Sequence, residues 1–316
     1  MFAAAKKAIE NSEKIAIFNH KNPDGDAMGT AYALKLALIS AGKKAEVFIK
    51  EEDKSSREYS FIKDTSSSLS VSECDLLIAV DSSDVERLGE FGKYFETEKN
   101  TISFDHHISH IPFSKITLLD ANAPACGQLL YEFLEYWGVN ITKEIAHNLY
   151  VAVAADTGSF KYSSTTEKTH LIAAKLIEHG ADVGAISKKL FDTNSFEYLK
   201  MMKIAIGKLE VFLNGKLSVL CLDENDFKNA GLSESEAGGI VSLTRTVEGV
   251  LISAYLRPRD NEIKVSLRSE SHINAAKIAE KFGGGGHIKA AGFSIKEKDI
   301  NKAKEIVINA ISGEIL

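Results

Sequence analysis

In Phe104-Asp105-His106-His107-Ile108 the triplet Asp105-His106-His107 follows the strand-like run Thr101-Ile102-Ser103-Phe104. An apolar strand that delivers one carboxylate and two imidazoles in consecutive positions puts hard oxygen and nitrogen donors at a single strand end. Three other turns in the same half of the sequence carry Asp behind an apolar run. In "IAIFNHKNPDGDAMG" (15–29) the donors are His20, Asp24 and Asp26, and in "LLIAVDSSDVERLG" (76–89) the donor is Asp81. In "LYVAVAADTGSF" (149–160) it is Asp156, ahead of Thr157-Gly158.

The first of these turns also sets the architecture. Its apolar lead reads as a buried parallel strand, and "AMGTAYALKLALISAG" behind it reads as a helix stopped by Gly42. His20, Asp24 and Asp26 therefore fall in a strand-to-helix loop, at the carboxyl end of a strand, where open α/β sheets place their ligands. One Asp in such a place is ordinarily a helix cap or a turn former. Several carboxylates together with imidazoles along one sheet edge would repel each other unless cations lay among them. The mixture of oxygen and imidazole donors suits Mn2+, Mg2+, Co2+ or Zn2+, two ions rather than one.

Other chemistries find little support. The three cysteines, Cys74, Cys126 and Cys221, show no Cys-x-x-Cys spacing, and their odd number points to reduced thiols in a cytoplasm. Cys126, at a helix start behind Pro124, is read as inert for want of a paired base. No Gly-x-Ser-x-Gly elbow and no Gly-x-x-x-x-Gly-Lys-Ser/Thr loop occurs, which argues against a serine nucleophile and against nucleoside triphosphate use. The 316 residues suffice for two domains, and no apolar run is long enough to span a bilayer. A net charge of −6 disfavours a protein that tracks long nucleic acid by charge. Lys and Arg do gather late, at Arg257, Arg259, Lys264, Arg268 and Lys289; a solvated face is the plain reading of such a run. The same segment contains Gly283 to Gly286 followed by His287. If "HIKAAGF" begins a helix, that glycine run forms an anion-binding concavity at its start.

The ordered series "HKNPDGDAMG", "VDSSD", "DHH", "ADTGSF" and "FGGGGHIKAAGF" resembles the DHH phosphoesterase superfamily. Within it the chain is similar to the stand-alone nanoRNase/pAp-phosphatase group, in which a DHH domain is joined to a DHHA1 domain. The resemblance spans nearly the whole chain. It implies that His20, Asp24 and Asp81 hold one metal ion, and that Asp26, Asp81, His106 and Asp156 hold a second, with Asp81 bridging. It implies further that His107 faces the scissile phosphate, with Asp105 as its partner, so that His107, Asp81 and Asp105 form the catalytic set. A ligating His needs its second ring nitrogen fixed, and a nearby carboxylate is expected to fix it. From the DHHA1 signature, Arg268, Gly284, Gly285, Gly286 and His287 are implied to contact a phosphate or the terminal nucleotide. The implied cofactors are two divalent ions, Mn2+ first, with Mg2+ or Co2+ as alternatives.

The expected architecture is α/β. A doubly wound parallel-sheet DHH domain (1–185) is joined by a helical connector (186–207) to a smaller α+β DHHA1 domain (208–316). Within the first domain, "ITKEIAHNLYVAVAADTGSF" should supply a helix and then the last site-bearing strand. The second should open with hairpins at Asn214-Gly215 and within "GVLISAYLRPRDNEIKVSLRS". Trp137 is read as part of a helix face packed on the sheet. His110, His147, His170 and His179 are read as structural or surface groups. The expected function is hydrolysis of very short RNA to mononucleotides, with phosphatase action on 3′-phosphoadenosine-5′-phosphate (pAp). The cell compartment is the cytoplasm, no membrane is involved, and a homodimer is in keeping with the resemblance. The alternatives are a cyclic di-AMP or linear dinucleotide phosphodiesterase, and an RNA-binding DHHA1 protein whose metal site is idle.

Overall fold

The computed structural model describes residues 1–50, 59–65, 68–96, 100–233, 235–259, 261–270 and 272–315. The chain divides into two compact units, Met1–Thr193 and Asn194–Leu316. No helix among the described residues is long and apolar enough to cross a membrane.

The first unit runs α1 (Phe2–Glu10), β1 (Lys14–Phe18), α2 (Gly25–Ser40), β2 (Lys44–Phe48), β3 (Leu76–Val80), β4 (Asn100–Asp105), β5 (Ile116–Leu119), α3 (Cys126–Trp137), α4 (Lys143–Asp156), α5 (Glu167–Glu178) and α6 (Val183–Ser187). Its five strands are all parallel, in the order β2-β1-β3-β4-β5. That is a doubly wound order, and its switch point lies between β1 and β3. Side chains alternate across the sheet. Ile15, Ile17, Ile78, Val80, Ile102 and Phe104 join the large core with α2, α3 and α4. Ala16, Phe18, Leu77 and Ala79 face the other way, and there the cover is Leu88, Phe91 and Phe95 from the 3-10 segment Glu86–Glu96. Trp137 packs against the main core.

Helix α4 departs from expectation. "LYVAVAAD" is helical throughout, so Asp156 ends a helix rather than a strand. The reason is burial: every residue from Ile145 to Ala154 is buried. A helix enclosed on all sides has no polar stripe, and its sequence cannot be told from a buried strand by periodicity.

Helices α2 and α4 meet closely because α2 carries Gly25 and Gly29 one turn apart. A Cβ at Gly29 would lie 2.5 Å from the carbonyl oxygen of Asn148, and one at Gly25 would lie 2.6 Å from Cβ of Ala155. This contact brings Asp26, in the first turn of α2, towards Asp156 at the end of α4.

The second unit runs α7 (Phe196–Lys208), β6 (Leu209–Phe212), β7 (Leu217–Cys221), α8 (Glu224–Ala230), β8 (Ile252–Arg259), β9 (Glu262–Ser269), α9 (Ala275–Glu280), β10 (Gly285–His287), β11 (Ala290–Ile295) and α10 (Ile300–Ile315). Its six-stranded sheet has the order β10-β11-β9-β8-β7-β6, with only β7 and β8 parallel. Both expected hairpins form. Phe212 pairs with Leu217 across a turn in which Leu213, Asn214 and Gly215 all have positive φ, and Arg259 pairs with Glu262. Helices α9 and α10 cover one face of the sheet, while α7 and the 3-10 segment Ser235–Arg245 pack on Leu220 and Tyr255.

Here a second expectation fails, since "HIKAAGF" forms β10 and β11 and not a helix. Gly286 pairs with Ala291 and Gly285 with Gly292. A Cβ at Gly284 would lie 2.3 Å from the Gly292 oxygen, and one at Gly286 2.5 Å from the Ala290 oxygen. Close backbone contact within this hairpin is reason enough for glycine at both positions.

Gly29→Ala should cost about 1–3 kcal/mol in denaturant unfolding of the metal-free protein, because the new methyl is driven into backbone. Gly207→Ala on α7, where a Cβ meets open space, should be neutral or stabilising by up to about 1 kcal/mol.

Candidate metal centre

Three strand ends and two helix ends of the first unit build the site. His20 follows β1, Asp81 follows β3, and Asp105 ends β4 with His106 and His107 beyond it. β1 and β3 flank the switch point, where the connections leave the sheet in opposite directions and open a crevice. Asp81 has φ +55, a backbone conformation unfavourable for a residue with a Cβ and one that Asp tolerates better than most. Its amide is held by a 2.8 Å hydrogen bond to the Phe104 carbonyl.

The carboxylate of Asp81 is the hub. Its Oδ2 lies 3.6 Å from Nε2 of His20, and its Oδ1 lies 3.4 Å from Nε2 of His106. Oδ1 is buried and accepts no well-formed hydrogen bond among the described residues. His20 Nε2 is also 3.9 Å from Oδ2 of Asp24. The other oxygen of Asp24 caps α2, accepting from the amides of Asp26 and Ala27, so one oxygen serves the helix while the other faces the site. His106 Nε2 lies 3.7 Å from Asp26 and 3.3 Å from Asp156. Donor atoms of His20, Asp24 and Asp81 lie within 4.8 Å of one another, and so do those of Asp26, His106 and Asp156.

Asp26 is anchored from three directions. Oδ2 accepts from the amide of Cys126 at 2.6 Å, and Oδ1 from the amide of Gly127 and the Thr30 hydroxyl, both at 2.9 Å. The amides belong to the first turn of α3, where the helix dipole favours negative charge. The expectation that carboxylates fix the second nitrogens of His20 and His106 is corrected: main-chain carbonyls do so. Nδ1 of His20 donates to Lys21 O at 2.9 Å and Nδ1 of His106 to Ala123 O at 3.1 Å. Carbonyls only accept, so both rings present Nε2 to the site as a lone pair suited to a cation.

His107 is held differently. Its Nδ1 is 2.7 Å from Asp105 Oδ1, nearer than the 3.8 Å to Asp81, which leaves Nε2 as its outward atom. Asp105 also accepts at Oδ2 from Nδ1 of His110, at 2.5 Å. The His110 side chain is fully buried, and it completes the support of the triplet. Sequence reasoning treated it as structural or surface and did not connect it with Asp105; the local pattern Asp105-x-x-x-x-His110 was the available signal.

Electrostatics follow from this crowding. Burial raises the Asp26 carboxyl well above the carboxylate range, with Asp81 and Asp156 adding to it. Burial likewise lifts Asp156, to about 6. Burial would raise Asp81 too, but the imidazoles of His106 and His20, 3.4 and 3.6 Å away, hold it below the usual range. His106 is opposed by its own burial, yet Asp81, Asp26 and Asp156 push it up to about 10; His20 is raised in the same sense. Protons thus stand in for positive charge that the carboxylates demand. Paired buried carboxylates, an unsatisfied Asp81 oxygen and correctly oriented imidazoles together fit divalent cations. The Cys126 thiol, buried and driven up by burial and by Asp26, offers no competing ligand.

In the second unit Arg268, Ala290 and His287 lie in one row across β9, β11 and β10. Arg268 is half-buried, and desolvation together with Arg245 lowers its pKa. Gly286, at φ +143, falls in the next row with Ala291 and Leu267, and Gly285 in the row of Gly292 and Ser266.

This architecture and donor set define a phosphoesterase class. The family model described as "DHH family, N-terminal domain" matches residues 14–153, and that of the "DHHA1 domain" matches residues 214–313. The chain belongs to the DHH–DHHA1 phosphoesterase family and is NrnA-like within it. It is 31% identical to the bifunctional oligoribonuclease and PAP phosphatase NrnA of Thermus thermophilus, over 100% of this chain and 94% of that protein. To the protein of the same name from Bacillus subtilis it is 25% identical, over 93% of each chain. An exopolyphosphatase-related protein from Bacteroides fragilis shares the fold at a TM-score of 0.84 and 23% identity, covering 99% of this chain and 95% of that one.

Metal binding and pH are linked through the protons just described. His106, pushed up to about 10, is charged at neutral pH in the metal-free protein, so a cation must displace its proton. Mn2+ affinity should therefore tighten from about pH 6 to about pH 9. Calorimetry in buffers of different ionisation enthalpy should register proton release. An affinity independent of pH would contradict this arrangement.

Proposed function

We propose that the chain is a two-metal phosphoesterase that degrades very short oligoribonucleotides to mononucleotides and also removes a phosphate from pAp. The observation that carries the reading is the position of Asp81, which turns one oxygen towards His20 and the other towards His106. In this reading His20, Asp24 and Asp81 would hold one cation, and Asp26, Asp81, His106 and Asp156 would hold the other. Mn2+ is the first choice and Mg2+ or Co2+ the alternatives, given the mixed oxygen and imidazole donors. When bound, such a pair lowers the pKa of a shared water and clamps the phosphate oxygens that gain charge during in-line attack.

The chain's own groups supply the rest. Asp105, gripped by His110, fixes the His107 ring through Nδ1, so that Nε2 is the ring atom turned outward to meet a phosphate oxygen. Arg268 offers a guanidinium fork for two phosphate oxygens. His287 and the backbone at Gly285 and Gly286 serve the same end of the substrate, whereas the Gly284 amide is taken by the Ala279 carbonyl at 3.0 Å. In this reading the compartment is the cytoplasm, in keeping with three cysteines, Cys74, Cys126 and Cys221, that lack Cys-x-x-Cys spacing. The names of the Thermus and Bacillus relatives support the same substrates.

The test is Mn2+-dependent hydrolysis of a 5′-labelled RNA dinucleotide, of pAp and of an RNA of roughly 24 nucleotides. Wild type should consume the first two and spare the third. Asp81→Ala should lose on the order of a thousandfold, in keeping with loss of transition-state charge stabilisation. Arg268→Ala should weaken dinucleotide binding more than it slows hydrolysis of a small generic phosphodiester. Inactivity on all three substrates would overturn the reading and turn attention to cyclic dinucleotides.

A further inference from the structure

A pocket of about 520 Å³ lies on the second unit, between α8 with the turn behind it and the far end of β8. Leu222, Phe227, Leu232 and Pro258 form its apolar walls, and Lys228, Arg257 and Arg259 stand around it. Leu222 and Leu232 are buried, while Phe227 is half-buried and leaves part of its ring to the pocket. Along β8, Arg257 lies four residues beyond Ser253, the partner of Arg268, or about 13 Å away. The pocket is thus not the glycine-hairpin row.

Its charge balance favours an anion. The two acids on its rim are already engaged. Asp223 caps α8 through Oδ1 and lies 3.7 Å from Lys208 through Oδ2, and Glu224 lies 3.7 Å from Lys228. The guanidinium of Arg257 is held over the Tyr255 ring at 5.7 Å, which orders it in place. Across the β8–β9 ladder Arg257 also stands directly opposite Lys264. The walls add a second requirement: a ring face and a proline beside two leucines suit a planar apolar group. The volume falls in the range of small-molecule sites.

We propose that this pocket is a nucleoside monophosphate site, with the base against Phe227 and Pro258 and the phosphate on Arg257 and Arg259. It goes beyond the hydrolytic reading, since it is built wholly from the second unit and needs no metal ion. Its ligand is chemically the product that hydrolysis of short RNA releases.

Photolabelling of the full chain with 8-azidoadenosine 5′-monophosphate, in the presence of a chelator and followed by peptide mapping, tests the site directly. Label is expected within residues 222–233 and 257–259. It should fall at least about fivefold on charge reversal of the exposed Arg259 (Arg259→Glu), and be competed by AMP far better than by adenosine or inorganic phosphate. Arg259→Glu should keep its dinucleotide hydrolysis, so failure of the labelling and failure of the hydrolytic reading are distinguishable. Label confined to residues 283–290, no specific label, or competition by inorganic phosphate as strong as by AMP would each overturn the proposal.

Discussion

Everything in the first unit is arranged around the cost of burying Asp81, Asp26 and Asp156 beside one another. An isolated ionised carboxylate is expensive to desolvate, and a second one nearby makes it more so. The fold answers with backbone amides at the start of α3 for Asp26 and with His20 and His106 for Asp81. Protonated imidazoles are a partial answer, because each brings a single charge, and among the described residues the geometry leaves Asp81 Oδ1 without a hydrogen bond. Divalent cations are the fuller answer, and the same charge that relieves the carboxylates would then act on a phosphate.

The scaffold makes this arrangement stiff. A parallel sheet with buried strands fixes the carboxyl ends of β1, β3 and β4, and the glycine-lined crossing of α2 on α4 fixes Asp26 and Asp156 relative to them. Support extends one layer outward. Lys21 and Ala123 carbonyls set the tautomers of His20 and His106, and His110 locks Asp105, which in turn orients His107. The donor positions therefore depend on main-chain groups and on buried side chains, which move little.

Much of this was legible in the sequence, for a physical reason. Three of the donor-bearing turns follow short, strongly apolar strands, so the loop and its Asp or His residues stand out against the run. Asn214-Gly215 marked its hairpin because glycine is at ease at the positive φ a tight turn requires. Asp156 was found but put on the wrong kind of element, since a helix buried on every side carries no amphipathic signature. The glycine run was read as a helix approach because its partner, the strand Ala290–Ile295, becomes its neighbour only through tertiary pairing. His110 was not linked to Asp105, and the carbonyls behind the two imidazoles were missed, because side-chain direction and main-chain hydrogen bonds are set by the fold and leave no mark on residue identity.

In the proposed reading one carboxylate, Asp81, would hold two cations at once. Electron paramagnetic resonance of the Mn2+-loaded protein, read alongside metal stoichiometry, tests it most directly. Two Mn2+ per chain with an exchange-coupled spectrum are expected, replaced in Asp81→Asn by weaker binding and an uncoupled signal. A single Mn2+ per chain, or two with the spectrum of isolated ions in the wild type, would contradict it.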